Sequence, residues 1–214
     1  MLGFYNYTVI LTYLSLISGT IGIFAAASGR PLIMSIVCLL LSGFFDLFDG
    51  KVARTRKKST DDEKKFGIQL DSLADLVCFG VLPAVMGIQY GLNNYFYFTV
   101  MALYVLAGLI RLAYFNVSEE KRSSKEGGVR SQYDGLPITS AAIIFPLFFC
   151  FKVCMGSRLS FDTYTYLYCG LLVAVAFAFL FNKIKIRKAK GAMIYIVALF
   201  GLVELATVLI VYFL

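Results

Sequence analysis

Seven apolar runs, each long enough to cross a bilayer, divide this chain. They fall at roughly 5–28, 32–50, 68–89, 94–116, 136–155, 161–181 and 192–214. A transmembrane helix needs about 20 mostly apolar residues. Lipid offers no partner to a free backbone N–H or C=O, so runs of this length must close their own hydrogen bonds as helices. The fold read from them is an all-α integral membrane protein with seven candidate spans, a single polytopic domain over 1–214. Only 15% of the residues are charged, against roughly 25% in soluble domains. A soluble globular domain, a disordered chain and a disulfide scaffold are thereby excluded. The first run ends in Ala25, Ala26, Ala27 and Ser28, which resembles a leader cleavage site. No Lys or Arg precedes it, and it exceeds the usual apolar core of a leader. It is read as a span.

The loops between the runs differ in charge. Sixteen of the 20 Lys and Arg residues lie in three alternate loops, 51–66, 117–135 and 182–191. The opposite side carries only Arg30, Lys152 and Arg158. The positive-inside rule puts the three basic loops in the cytoplasm. The net charge of +7 is then explained by an anionic membrane surface rather than by nucleic acid. Histidine is absent, which removes imidazole-based catalysis and imidazole metal ligands. The five cysteines, Cys38, Cys78, Cys150, Cys154 and Cys169, sit in apolar runs without a C-x-x-C pair; they read as small buried apolar residues.

Charge at bilayer depth costs from a few to more than ten kcal/mol, so an ionisable residue there normally serves a function. Asp46, Asp49, Asp71, Asp75, Arg111 and Glu204 are the residues in question. Asp46 and Asp49 are spaced i, i+3; Asp71 and Asp75 are spaced i, i+4. Each pair shares one helix face. One basic loop joins the two helices, so both pairs lie at the same depth, near the cytoplasmic leaflet. Four facing carboxylates must be protonated in part or neutralised by cations. An all-oxygen, histidine-free site points to Mg²⁺ or Mn²⁺; a proton or Na⁺ relay is the competing reading. Gly50 and Ala53, one helical turn apart, leave a slot beside the carboxylates, and Arg54 places a cation at its cytoplasmic end. Gly67 is expected to let the third helix approach closely. A carboxylate cluster, a small-residue slot and a flanking Arg suit a nucleotide pyrophosphate held by metal ions.

The run Asp46-x-x-Asp49-Gly50-x-x-Ala53-Arg54, then Gly67-x-x-x-Asp71-x-x-x-Asp75, resembles the signature of the CDP-alcohol phosphotransferase family, with every fixed position filled. Twelve residues separate Arg54 from Gly67, more than is usual in the family. The extra polar stretch around Ser59 to Lys65 is expected to extend a cytoplasmic helix or loop without moving the aspartates. Further segments are similar to the integral-membrane phosphatidylserine synthase branch: Phe79-Gly80-x-x-Pro83, Arg111-Leu112-Ala113-Tyr114-Phe115-Asn116, and Gly135-Leu136-Pro137 followed by Ser140-Ala141-Ala142. Ile138-Thr139 stands where Ser-Pro is more usual. Span one matches weakly, with Thr12, Ser15 and Gly19 at its polar or small positions.

The resemblance implies a six-helix core, here with at least one further span, and a homodimer. The substrates it implies are a CDP-diacylglycerol-type lipid and L-serine, giving a phosphatidylserine-type lipid and CMP. It assigns two divalent cations to Asp46, Asp49, Asp71 and Asp75, with Asp75 also the general base. Gly50, Ala53, Arg54 and Gly67 would border the nucleotide. Segments 111–116 and 135–142 would shape the acceptor pocket. Arg111, helped by Asn116, is a candidate for the serine carboxylate; the competing reading pairs it with Glu119 or Glu120. Other alcohols, such as glycerol 3-phosphate or an inositol phosphate, and a non-enzymatic cation carrier remain as alternatives. The implied location is the cell membrane, multi-pass, with the site at the cytoplasmic face.

Overall fold

The computed structural model describes residues 7–55, 60–126, 132–183, 185–187 and 201–208, together with residues 3, 199 and 210. Among these, six helical segments are long and apolar enough to cross a membrane: Ile10–Ala27, Leu32–Val52, Asp61–Gln89, Tyr95–Glu120, Ile138–Arg158 and Phe161–Leu180. They coincide with the first six apolar runs to within a few residues, except that the third begins seven residues before its run. The protein is a multi-pass membrane protein. The seventh run falls mostly outside the described residues; within it, 201–208 is helical, and Val208 joins the core.

We number the helices α1 (Ile10–Ala27), α2 (Leu32–Thr55), α3 (Asp61–Asp75), α4 (Leu82–Gln89), α5 (Tyr95–Glu126), α6 (Ala141–Met155) and α7 (Phe161–Leu180). A π-helical turn, Leu76–Val81, joins α3 to α4, so one continuous element makes the third span. Two short strands, β1 (Gln132–Asp134) and β2 (Lys185–Arg187), pair antiparallel with Tyr133 opposite Ile186. They tie together two of the three basic loops, which therefore lie on one side of the bundle.

Thr60 caps α3. Its hydroxyl accepts from the Glu63 N–H at 3.2 Å, and the Glu63 carboxylate accepts from the Thr60 N–H at 3.0 Å. Such a reciprocal box satisfies two N–H groups that a helix start leaves open. From Asp61 the polar spacer is thus extra helix ahead of Gly67.

α1 packs on α2 through small and hydroxyl-bearing residues. Ser15 and Ser42 each donate to the other's carbonyl, at 3.1 and 2.9 Å. Ser18 donates to the Cys38 carbonyl at 3.0 Å, and Ser35 to that of Gly22 at 2.9 Å. Hydroxyls hold helices together in lipid because apolar contact alone gives helix pairing little advantage there. The π turn comes in against the same face: a Cβ at Gly19 would stand 2.5 Å from Cys78 Sγ, so only glycine permits this approach.

The far half of the bundle is an aromatic core. Tyr90 and Tyr168 stack at 4.2 Å, with Phe145 and Phe148 packed around Tyr168 at 5.5 Å each. Pro83 has no N–H to give the preceding turn, and the carbonyl of Phe79 is met instead by the hydroxyl of buried Tyr104 at 2.7 Å. Large apolar side chains such as Phe24, Leu103 and Phe177 remain exposed around the bundle, where lipid covers them.

Candidate active site

The stretch of α2 that carries Asp46 and Asp49, roughly two turns before its end at Thr55, meets the stretch of α3 that carries Asp71 and Asp75, toward the basic-loop end of the bundle. Asp46, Asp49 and Asp71 each present a carboxylate oxygen, and the three oxygens lie within 4.8 Å of one another. Asp75 sits against Asp46, and Asp49 against Asp71. The helical spacing explains this arrangement: three and four residues are the two separations that keep side chains on one helix face. Asp49 is 9% exposed; Asp46, Asp71 and Asp75 are half-buried. Anionic oxygens this close repel unless some are protonated or a cation lies among them. The donor set consists only of hard carboxylate oxygens, which suits a divalent cation such as Mg²⁺, Mn²⁺ or Ca²⁺ rather than a soft metal.

Around this cluster the expected residues behave differently from one another. A Cβ added at Gly50 would meet nothing within 4 Å, and the position is exposed, so the space beside Asp49 is open. At Gly67, which is half-buried, a Cβ would likewise meet nothing within 4 Å. The expectation that Gly67 permits close helix approach is therefore corrected: among the described residues no neighbouring helix comes close enough there to need a glycine. The backbone of α2 continues through Ala53 and Arg54 to Thr55, but the side chains of Ala53 and Arg54 lie outside those described.

Arg111 is buried, at 8% exposure. Two contacts bracket it in depth. One turn before it, Gly108 packs on Leu76 and Ile138. About a turn and a half beyond it, Asn116 pairs with Ser72, its amide donating to Ser72 Oγ at 2.9 Å. Arg111 therefore lies at the level of the α3 aspartates. Asn116 itself is engaged by α3, next in sequence to Asp71. The Gly135-Leu136-Pro137 turn docks on the end of α7. The Leu136 N–H donates to the Ala178 carbonyl at 3.1 Å. Gly135 has φ +79°, and a Cβ there would stand 2.9 Å from the Phe179 carbonyl oxygen. Asn116 and this turn thus each have a hydrogen-bond partner of their own, while Ile138, next after the turn, packs on Gly108 of α5.

Two residues near the carboxylates escaped the sequence reading as site residues. Thr12 of α1 donates to Asp49 Oδ2 at 3.2 Å, and Ser72 receives Asn116. A signal for Thr12 was present: Thr12, Ser15, Gly19 and Gly22 recur at three- and four-residue spacing along one face of α1, and all four are buried.

Fold and site together define a polytopic membrane protein with a carboxylate centre, suited to a divalent cation, at one end of its bundle. The family model described as CDP-alcohol phosphatidyltransferase matches residues 5–213, and the chain belongs to that family. Among its relatives, a CDP-diacylglycerol–serine O-phosphatidyltransferase of Saccharomyces cerevisiae is 39% identical over 116 residues, 53% of this chain and 41% of the relative. One of the same name from Helicobacter pylori is 34% identical over 145 residues, 67% of this chain and 56% of the relative. An archaetidylserine synthase of Methanothermobacter thermautotrophicus is 35% identical over 141 residues, 65% of this chain and 56% of the relative. The chain spans about half the length of these curated relatives.

Proposed function

We propose that this protein transfers the phosphatidyl group of a CDP-diacylglycerol-type lipid to the hydroxyl of L-serine, releasing CMP. The observation that carries the reading is the meeting of Asp46, Asp49 and Asp71 within 4.8 Å across two helices that bear the full family signature. The names of the relatives support serine as the acceptor. The whole chain acts as one membrane domain, in the cell membrane and as a homodimer. Its site opens at the cytoplasmic face, where the basic loops lie and where a soluble alcohol can meet a lipid headgroup.

Asp46, Asp49 and Asp71 hold two divalent cations, Mg²⁺ or Mn²⁺, with Asp75 at the second. When bound, these cations draw charge from the pyrophosphate. The open side of α2 at Gly50, with Ala53, Arg54 and Gly67, receives the cytidine nucleotide. Arg111 clasps the serine carboxylate through its planar fork, and Asn116 holds α5 in place beside it through Ser72. A carboxylate oxygen of Asp75 takes the proton from the serine hydroxyl. The hydroxyl oxygen then bonds to the lipid-bearing phosphorus, the bond from that phosphorus to CMP breaks, and CMP leaves with the electron pair.

The test is product analysis by mass spectrometry on the full chain in nanodiscs. Ester- and ether-linked CDP-lipids are each offered with L-serine, glycerol 3-phosphate or an inositol phosphate. CMP release with a serine-bearing lipid is expected. Release with another alcohol but not serine would overturn the acceptor assignment; no release with any alcohol would overturn the transferase reading.

A further inference from the structure

We propose that Thr12 is a positioning residue of the carboxylate centre: its buried hydroxyl fixes one oxygen of Asp49 and so aims the other at the cation. The inference rests on the reading of the aspartates as a metal centre. Thr12 is 6% exposed and Asp49 is 9% exposed, and their hydrogen bond of 3.2 Å joins residues 37 apart in sequence. An ionised carboxylate only accepts, so the threonine donates. With Oδ2 held from α1, the carboxylate loses its freedom to rotate, and Oδ1 keeps its lone pairs for a ligand. Outer-shell donors of this kind orient ligands at metal sites generally.

The contact is a consequence of register. α1 and α2 run antiparallel, and their polar contacts step along both helices: Gly22 with Ser35, Ser18 with Cys38, Ser15 with Ser42, then Thr12 with Asp49. Ser42 and Asp49 are two turns apart on one face of α2. Ser15 and Thr12 are one turn apart on α1. The first three contacts go to backbone carbonyls and lock the helices together. Thr12 is the one in this series that reaches a charged side chain. The third span is indexed to the same ladder, because Cys78 Sγ donates to the Ser15 carbonyl at 3.3 Å. A helix that supplies none of the four aspartates thus sets the direction of one of them.

The experiment compares Mn²⁺ binding by electron paramagnetic resonance in the substrate-free full chain, alongside kcat and KM. Thr12→Val keeps the shape and removes the donor; Thr12→Ser restores the donor. Ser42→Ala is the control that loosens the α1–α2 ladder without touching Asp49. Thr12→Val is expected to weaken Mn²⁺ binding about ten- to hundredfold and to lower kcat, with the serine KM unchanged. Thr12→Ser should stay within about threefold of wild type. Ser42→Ala should lower the melting temperature and leave Mn²⁺ affinity alone. Wild-type affinity in folded Thr12→Val overturns the positioning role, as does an equal loss in Thr12→Ser. Should Thr12→Val not fold, loss of Mn²⁺ affinity in folded Ser42→Ala would overturn it, by showing that helix packing alone controls the site. A wild-type protein that binds no Mn²⁺ overturns the metal reading and this inference with it.

Discussion

Replacing Arg111 by lysine separates recognition of serine from handling of the lipid. The side chain is buried at 8% exposure, level with the α3 aspartates, so a ligand pair formed there is shielded from solvent. A charge-assisted hydrogen bond contributes roughly 1.5–3 kcal/mol. A lysine keeps the charge but loses the second arm of a bidentate clasp. The loss of one such bond corresponds to about a ten- to hundredfold rise in the serine KM. The CDP-lipid KM should move little, because the proposed nucleotide slot lies on the open side of α2, away from Arg111. The assay is CMP release in nanodiscs with serine varied at saturating CDP-lipid, and the reverse. Serinol, which lacks the carboxylate, is the matched control: a poor acceptor for the wild type, it should lose little more in Arg111→Lys. Equal penalties for serine and serinol would refute the argument, since the lost contact would then not be to the carboxylate.

Three further outcomes are expected. Asp71→Asn keeps the shape of the proposed bridging ligand and removes its charge; it should abolish nearly all turnover, even with excess Mn²⁺, while the melting temperature shows the fold intact. Gly50→Leu adds bulk where a Cβ meets nothing within 4 Å, so it should raise the CDP-lipid KM at least tenfold without lowering the melting temperature, and a parallel rise in the serine KM would argue against a nucleotide slot. Tyr104→Phe strips the Phe79 carbonyl of its 2.7 Å partner in a region where Pro83 cannot replace it. Buried in lipid, that hydrogen bond is worth about 0.6–1.7 kcal/mol, to be read from denaturant unfolding in micelles, with CMP release retained under stabilising conditions.

Much of the architecture was legible in the residues themselves. The first six spans follow from run length, because lipid forces each apolar run to satisfy its own backbone. The opposed aspartates follow from helical spacing and one connecting loop, because the periodicity of a helix decides locally which side chains share a face. What one helix presents to another is a different matter. In a membrane every face of a helix is apolar enough for lipid, so hydropathy does not mark the packed side. Gly19 and Gly67 look alike in the sequence, yet one lies under Cys78 and the other in open space. Nothing in the sequence pairs Asn116 with Ser72, or Thr12 with Asp49; the α3–α5 and α1–α2 registers bring them together. Those contacts depend on the rotation and offset of whole helices, which small residues and hydroxyl ladders set cooperatively, and only the tertiary structure decides them.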